Sequence, residues 1–278
     1  MNIGIIGLGA IGGSFAAGLR TAGYDDVYGI DIDEETIRIA LESGMIKQGG
    51  TNIKDFLPEL DVLILSLYPS QIAPFVEQYA PFFKQGLVLT DVTGVKTTII
   101  EQVRAVLPPK ADFIFAHPMR GSEKKGISGA DHTRFLNANA LITPIDSNLE
   151  ENIQTIEKLY KALGFTTLTR VSPEQHDEQI AYVSQLMHAL SVAVVNSIQA
   201  SDETLTFAGN SFQELTRIAD INGELWSELF LNNRTALLDS IEQFEVELNA
   251  LKQSLIENDE HTLKQLFKQA TTQRRHWY

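Results

Sequence analysis

The chain has 278 residues, enough for two ordinary domains, and its 44% hydrophobic content with mixed charge is that of a folded protein. A formal net charge of −14 leaves no basic face for nucleic acid, and any anion must be held by locally placed cations. The absence of cysteine excludes disulfides, thiolate catalysis and thiol metal sites.

Met1–Ile6 is a short apolar run ending in glycine, as a buried parallel strand would be. Ile11–Ala22 reads as a helix closed by Gly23, Asp26–Ile30 as a second strand ending at Asp31, and Asp33–Glu42 as an amphipathic helix stopping before Gly44. A weak third strand is expected near Ile46–Ile53 and a fourth at Asp61–Leu67. Pro69–Phe83 follows as helix, Leu87–Asp91 as strand, Lys96–Val106 as helix and Phe113–Ala116 as the sixth strand. Two more strands, Ala140–Thr143 and Thr166–Thr169, flank the helix Leu149–Leu163. This alternation predicts an α/β fold with an N-terminal, Rossmann-type, doubly wound parallel sheet.

Strand patterns vanish from Ser172 onward, and helical periodicities fill Glu174–Ala200, Phe212–Ala219, Glu224–Asn249 and Asp259–Gln269. The chain therefore divides into a dinucleotide-binding domain, 1–170, and an all-α domain, 171–278, for substrate and dimerisation. Ala181–Ile198 is too apolar for a solvent-facing helix and belongs in the helical core or a homodimer interface. The N-terminus lacks the basic stretch of a signal peptide, and no apolar run reaches membrane-spanning length. A cytoplasmic enzyme without a membrane partner is expected, with no room for a regulatory or mutase domain after the last helix.

The motif Gly7-Leu8-Gly9-Ala10-Ile11-Gly12 follows a strand, opens a helix and precedes an acidic residue at the end of the next strand. Gly7 permits the tight turn, Gly9 lets a pyrophosphate approach the backbone, and Gly12 lets the helix pack on the sheet. The helix N-terminus offers N–H groups and a positive dipole end to the anion. Asp31 would accept hydrogen bonds from the adenosine ribose, and its charge repels the extra phosphate of NADP. No Arg or Lys stands beside it, so NAD is the expected cofactor, with Ser66 and Leu67 at the end of the fourth strand joining the site.

His117 stands just past the sixth strand, where open α/β sheets bind ligands. Pro118 fixes the chain direction after it, and Gly121 and Gly126 allow close backbone approach. Arg120, Lys124 and Lys125 make a basic cluster in an acidic protein, either a solvated loop or an anion site. His132, His176, His261 and His276 have no partners at metal-ligand spacing, so no metal is expected.

Beyond these signals the sequence resembles the prephenate and arogenate dehydrogenases of tyrosine biosynthesis. The resemblance spans nearly the whole chain. It rests on the glycine motif, Asp91-Val92-Thr93-Gly94-Val95-Lys96, and His117-Pro118-Met119 with Gly121-Ser122-Glu123. It continues through Ser184-Gln185-Leu186-Met187-His188, Phe212-Gln213-Glu214-Leu215-Thr216-Arg217-Ile218-Ala219, and Trp226 with Asn233.

The resemblance implies that His117 hydrogen-bonds the substrate's ring hydroxyl and accepts its proton. It also implies that Arg217 holds the ring carboxylate, that His188 belongs to the substrate pocket, and that Glu123 lies near the pocket mouth. In this chain Gly94 replaces a serine common in the family, so Thr93 or a water substitutes for that hydroxyl, or the contact is absent. Arg120 stands where a small residue is common, to pair with a substrate carboxylate or face solvent, and Gln185 replaces a histidine of some members.

The implied reaction is NAD-dependent oxidative decarboxylation of prephenate to 4-hydroxyphenylpyruvate. Arogenate is the alternative substrate, and a non-catalytic nicotinamide-sensing protein the alternative of another class. Hydroxyacid dehydrogenases with a similar domain pairing use a lysine of the long interdomain helix. Pro173–Ser201 contains no lysine.

Overall fold

The short apolar runs of the N-terminal half become strands buried on both faces, which is why they read as unbroken rather than alternating. In the computed structural model, which describes residues 1–121, 124–197 and 202–277, eight strands form a single sheet. They are β1 (Ile3–Ile6), β2 (Val27–Ile30), β3 (Gln48–Gly50), β4 (Val62–Leu65), β5 (Leu87–Asp91), β6 (Ala111–Pro118), β7 (Asn139–Thr143) and β8 (Thr167–Arg170). Their order is β3-β2-β1-β4-β5-β6-β7-β8. All neighbours from β3 to β6 are parallel, whereas β7 runs antiparallel to β6 and carries β8 parallel to itself. The order reverses between β1 and β4, which opens a crevice at their carboxyl ends.

Helices cover both faces. On one side α1 (Ala10–Thr21), α2 (Glu34–Glu42) and α5 (Glu150–Ala162) close a core that includes Phe15, Phe135 and Tyr160. On the other, α3 (Pro69–Tyr79) and α4 (Thr97–Val106) bury Ile72, Val76, Ile99 and Val103 together with Leu229 from the helical region. That region comprises α6 (Pro173–Ile180), α7 (Leu186–Asn196), α8 (Asp202–Leu205), α9 (Asn210–Thr216), α10 (Gly223–Asn232), α11 (Arg234–Ile256) and α12 (Glu260–Trp277). Among the described residues no helix is long and apolar enough to cross a membrane.

Four expectations are corrected. His117 lies inside β6, because pairing with β7 (His117 opposite Leu141, Pro118 opposite Ala140) extends that strand beyond its apolar run. The third strand is only three residues, since Ile46 and Ile53 turn into the two cores instead. The helix expected at Glu174–Ala200 contains a π-helical turn, Ala181–Gln185, between α6 and α7, and residues 198–201 lie outside the described residues. The helix expected at Glu224–Asn249 breaks at Asn233 (φ −120°, ψ 30°). There the side chain leaves the helix to bond the Asp177 carbonyl (2.8 Å) and Gln185 Oε1 (2.8 Å).

Candidate active site

The crevice at the β1–β4 reversal is a cavity of about 640 Å³ bounded by the sheet's carboxyl edge and by α10 and the α6–α7 junction. Its floor on the sheet side is the glycine loop. Gly7 has φ +83°, and a β-carbon there would lie 2.4 Å from the Ser66 carbonyl oxygen; one on Gly12 would lie 1.8 Å from the Gly7 oxygen. Neither position admits a side chain. A β-carbon on Gly9, by contrast, would meet nothing within 4 Å, so the space above the α1 N-terminus is open. The leading N–H groups of that helix have no intrahelical acceptor, and its first turn carries no acidic residue. This cradle fits the pyrophosphate of a dinucleotide.

Asp31 lies at the end of β2, where its carboxylate accepts from Leu8 N–H (2.7 Å) and Asp33 N–H (3.0 Å). Gly9, Ala10, Ile11, Ser66 and Leu67 line the cavity. Gly7, Leu8, Gly12 and Asp31 stand behind it: Leu8 is fully buried in the core, and the two glycines shape the turn.

His117 reaches the cavity from the end of β6. Behind it runs a chain of hydrogen bonds. His117 Nδ1 lies 3.0 Å from His176 Nε2, and His176 Nδ1 lies 2.8 Å from Asp177 Oδ1. Asp177 Oδ1 also accepts from Lys96 N–H (2.9 Å) and Oδ2 from Thr97 N–H (2.8 Å), so this carboxylate caps α4 from α6. Beside this chain is a second buried group. Lys96 Nζ is 2.6 Å from Asp91 Oδ2 and 2.9 Å from the Thr93 carbonyl, and Asp91 Oδ1 accepts from Ala116 N–H (3.1 Å). Both side chains of the Lys96–Asp91 pair are fully buried.

Burial, with smaller contributions from His176 and Lys96, holds the His117 imidazole well below its ordinary pKa. Burial likewise lowers His176, against the opposing hydrogen bond from Asp177. Burial pushes the Asp177 carboxyl up, but the bonds from His176 and Thr97 outweigh it and leave it below its usual value.

Thr93 lines the cavity, but its hydroxyl is turned away from it. Its one proton goes to the buried Asp91 carboxylate, with the Val95 carbonyl 3.1 Å from the same oxygen. Of the alternatives left open for the missing serine, Thr93 is the one this geometry disfavours: the buried carboxylate is the stronger acceptor and holds the hydroxyl inward.

On the helical side, His188, Arg217 and Trp226 line the same cavity. His188 Nδ1–H donates to the Ser184 carbonyl (2.9 Å), one turn back in the helix, and the ring stacks on Trp226 with centroids 3.7 Å apart. Arg217 begins a single 3₁₀ turn, Arg217–Ala219, after α9. Arg120, Lys124 and Lys125 line the cavity from the loop after β6. Glu123 lies outside the described residues. Gln185 is buried and structural, bridging the Leu229 carbonyl (3.1 Å) and Asn233.

Two contacts join the walls near the cavity rim. Glu228 accepts from Ser70 N–H (2.9 Å) and Ser70 Oγ–H (2.8 Å) at the start of α3, and Asn222 Nδ2 donates to the Tyr68 hydroxyl (2.9 Å).

Sequence reasoning missed His176, Asp177, Lys96 and Asp91 as parts of this site. Asp91 and Lys96 stood at the two ends of a motif already singled out, without a role; for the other two the signal was the adjacent His-Asp pair opening the helical region, whose partner His117 is 59 positions away.

Residues 15–168 match the family model for the nucleotide-binding domain of prephenate dehydrogenase, and residues 172–269 match that for its dimerization domain. The chain is 30% identical over 272 residues to the prephenate dehydrogenase of Lactococcus lactis subsp. cremoris, covering 95% of this chain and 74% of that protein. Among solved structures it is similar to the prephenate dehydrogenase of Aquifex aeolicus in complex with hydroxyphenyl propionate and NAD+. That likeness has 28% identity and a TM-score of 0.91, over 100% of this chain and 98% of that one. The Synechocystis arogenate dehydrogenase is likewise similar, with 26% identity and a TM-score of 0.83, over 100% of both chains.

Proposed function

The chain belongs to the prephenate dehydrogenase family, and from that premise we propose that it oxidatively decarboxylates prephenate to 4-hydroxyphenylpyruvate with NAD. The observation that carries this reading is the position of His117. Its ring enters a cavity that runs from the glycine cradle on one side to Arg217 on the other.

Bound NAD supplies the acceptor for the hydride leaving the ring carbon that bears the hydroxyl. The open space above Gly9, the α1 N-terminus and Asp31 would hold it, and Asp31 favours NAD over NADP by charge. Neutral His117 takes the hydroxyl proton as the carbon–hydrogen bond breaks. The bond to the ring carboxylate then cleaves, releasing carbon dioxide, and its electrons complete the aromatic ring. His117 returns the proton to the phenol oxygen, so no net proton is released. Arg217 holds the ring carboxylate in a geometry that a guanidinium can make bidentate.

Prephenate carries two carboxylates, and Arg120, Lys124, Lys125 and Arg217 all line the cavity of an otherwise acidic protein. Asp220 also lines it and favours the second reading, arogenate, whose amino group would need an acidic partner. NADH formation with each substrate, compared by kcat/KM, tests both readings. No NADH with either overturns them.

We further propose a domain boundary at 170/171 and a homodimer through the helical region. In support, Tyr182, Val183, Met187, Val194 and Val195 of the apolar stretch are each more than 40% exposed in the single chain. Such a row of apolar side chains favours a covered face.

A further inference from the structure

We propose that His176 and Asp177 are positioning residues that fix the tautomer of His117 and stabilise the cation it becomes during the reaction. The inference rests on the reading of His117 as proton acceptor.

The hydrogen bonds determine the direction of the chain. Asp177 can only accept at Oδ1, because the same oxygen also takes the Lys96 N–H. His176 Nδ1 therefore carries a proton. Burial keeps His176 neutral, which leaves its Nε2 as an acceptor, and the proton in the 3.0 Å contact belongs to His117 Nδ1. His117 is thus held with Nδ1–H inward and the Nε2 lone pair as its basic site. The carbon skeleton agrees, since a β-carbon at Gly94, which lines the cavity, would lie 3.6 Å from His117 Nε2.

The second half of the proposal follows from the electrostatics. Once protonated, His117 is a cation in a buried place, beside a lysine, and an uncompensated buried charge is costly. Asp91 is already paired with Lys96 at 2.6 Å. Among the described residues the other anion hydrogen-bonded into this chain is Asp177, one imidazole away. His176 conveys its influence, as a carboxylate orients the base histidine of a serine hydrolase, with one further ring in the series.

His176 is completely buried on α6. Packing alone does not account for a histidine there, because an apolar residue of similar volume would fill the space without its desolvation cost. Asp177 has a structural duty as the cap of α4, so it is the poorer position for a test.

The test uses the full-length protein with isotope-labelled histidine. At neutral pH, nitrogen chemical shifts should report His117 as the neutral Nδ1–H tautomer, with that proton in a strong hydrogen bond. His176→Phe should abolish this bond and lower kcat by about 10²-fold or more, with KM for prephenate changed far less. His176→Gln, whose carbonyl can accept from His117 Nδ1–H, should recover roughly tenfold of that loss and restore the tautomer.

An Nε2–H tautomer for His117 in the parent protein overturns the proposal without any variant having to fold. So does parental kcat in His176→Phe, or a loss that His176→Gln leaves unrepaired. If prephenate is not turned over at all, the assignment of the substrate fails instead, and the tautomer measurement still decides the arrangement of the two histidines.

Discussion

Gly94 faces His117: a β-carbon built on it would stand 3.6 Å from His117 Cε1 and Nε2 and 3.4 Å from Leu229 Cδ2. These are ordinary contact distances, so the position can take a small side chain although none is there. Gly94→Ser should fold normally and change kcat by less than about tenfold, whereas Gly94→Val should crowd the ring and lower kcat further. Steady-state kinetics of the two variants check this, and equal, severe losses in both would mean that the space beside Nε2 must stay empty.

His117→Ala should lower kcat by about 10²–10⁴-fold with NAD affinity near that of the parent. The acid limb of the parent's profile follows from the direction of the shift. Burial, His176 and Lys96 all favour the neutral ring, so the basic form persists to below the ordinary histidine range. Activity should therefore hold through pH 6.5, the ordinary value for histidine, and fall only in more acid solution. His117→Asn should bind substrate better than the alanine variant yet lack that limb. An unchanged limb in the asparagine enzyme would remove His117 from the proton transfer.

Arg217→Lys should raise KM for prephenate much more than it lowers kcat, because it disturbs a contact already made in the ground state. Titration of the variant with prephenate in the presence of NADH separates binding from turnover, and an unchanged affinity would place Arg217 outside the recognition of the ring carboxylate.

Asp31→Ala has two expected effects. Loss of the charge should narrow the preference for NAD over NADP, and loss of the acceptor for Leu8 N–H should loosen the glycine loop and raise KM for both cofactors. Asp31→Asn keeps an acceptor, so it should relax the preference with a smaller rise in KM. Identical cofactor ratios in parent and variants would show that Asp31 does not meet the ribose.

Gly12→Ala should be among the most damaging single changes in the nucleotide-binding half. Its β-carbon would fall 1.8 Å from the Gly7 oxygen and 3.0 Å from Ser66 Cβ, so backbone must move. A loss of about 1–3 kcal/mol or more in denaturant unfolding is expected, together with loss of NAD binding. Gly9→Ala, with open space around it, should keep stability but weaken the cofactor, and a stability loss equal to that of Gly12→Ala would contradict this division of roles.

The centre of the sheet was legible because β1 and β4 are unbroken apolar runs, a local signal that β3 (Gln48–Gly50) lacks. The glycine cradle, Asp31 and His117 were legible for the same reason: motif and partner lie within one strand–helix unit. His176 was not, since its meaning depends on a partner 59 residues away, and no spacing rule links a strand end to the first turn of a distant helix. Lys96 and Asp91 read as ordinary ends of a helix and a strand, and only burial reveals them as an enclosed ion pair. The break at Asn233 escaped detection because the helical period continues on both sides of it. What interrupts the helix is a pair of side-chain bonds to Asp177 and Gln185, made in three dimensions.

The walls of the cleft are joined unequally, and this bears on how ligands come and go. On one flank Asp177 bonds the first turn of α4 through one buried and one part-buried N–H group; on the other, Glu228 bonds Ser70 where solvent can compete. Water can replace the second pair at little cost, but separating the first exposes an unsatisfied buried carboxylate. Any opening of the cleft should therefore run as a book's does, with Asp177 in the spine and Glu228 as the clasp. Hydrogen exchange should be slow at the Thr97 amide and fast at that of Ser70. The spine is the place where His117 gets its alignment, so the base stays set between one turnover and the next while the pages part.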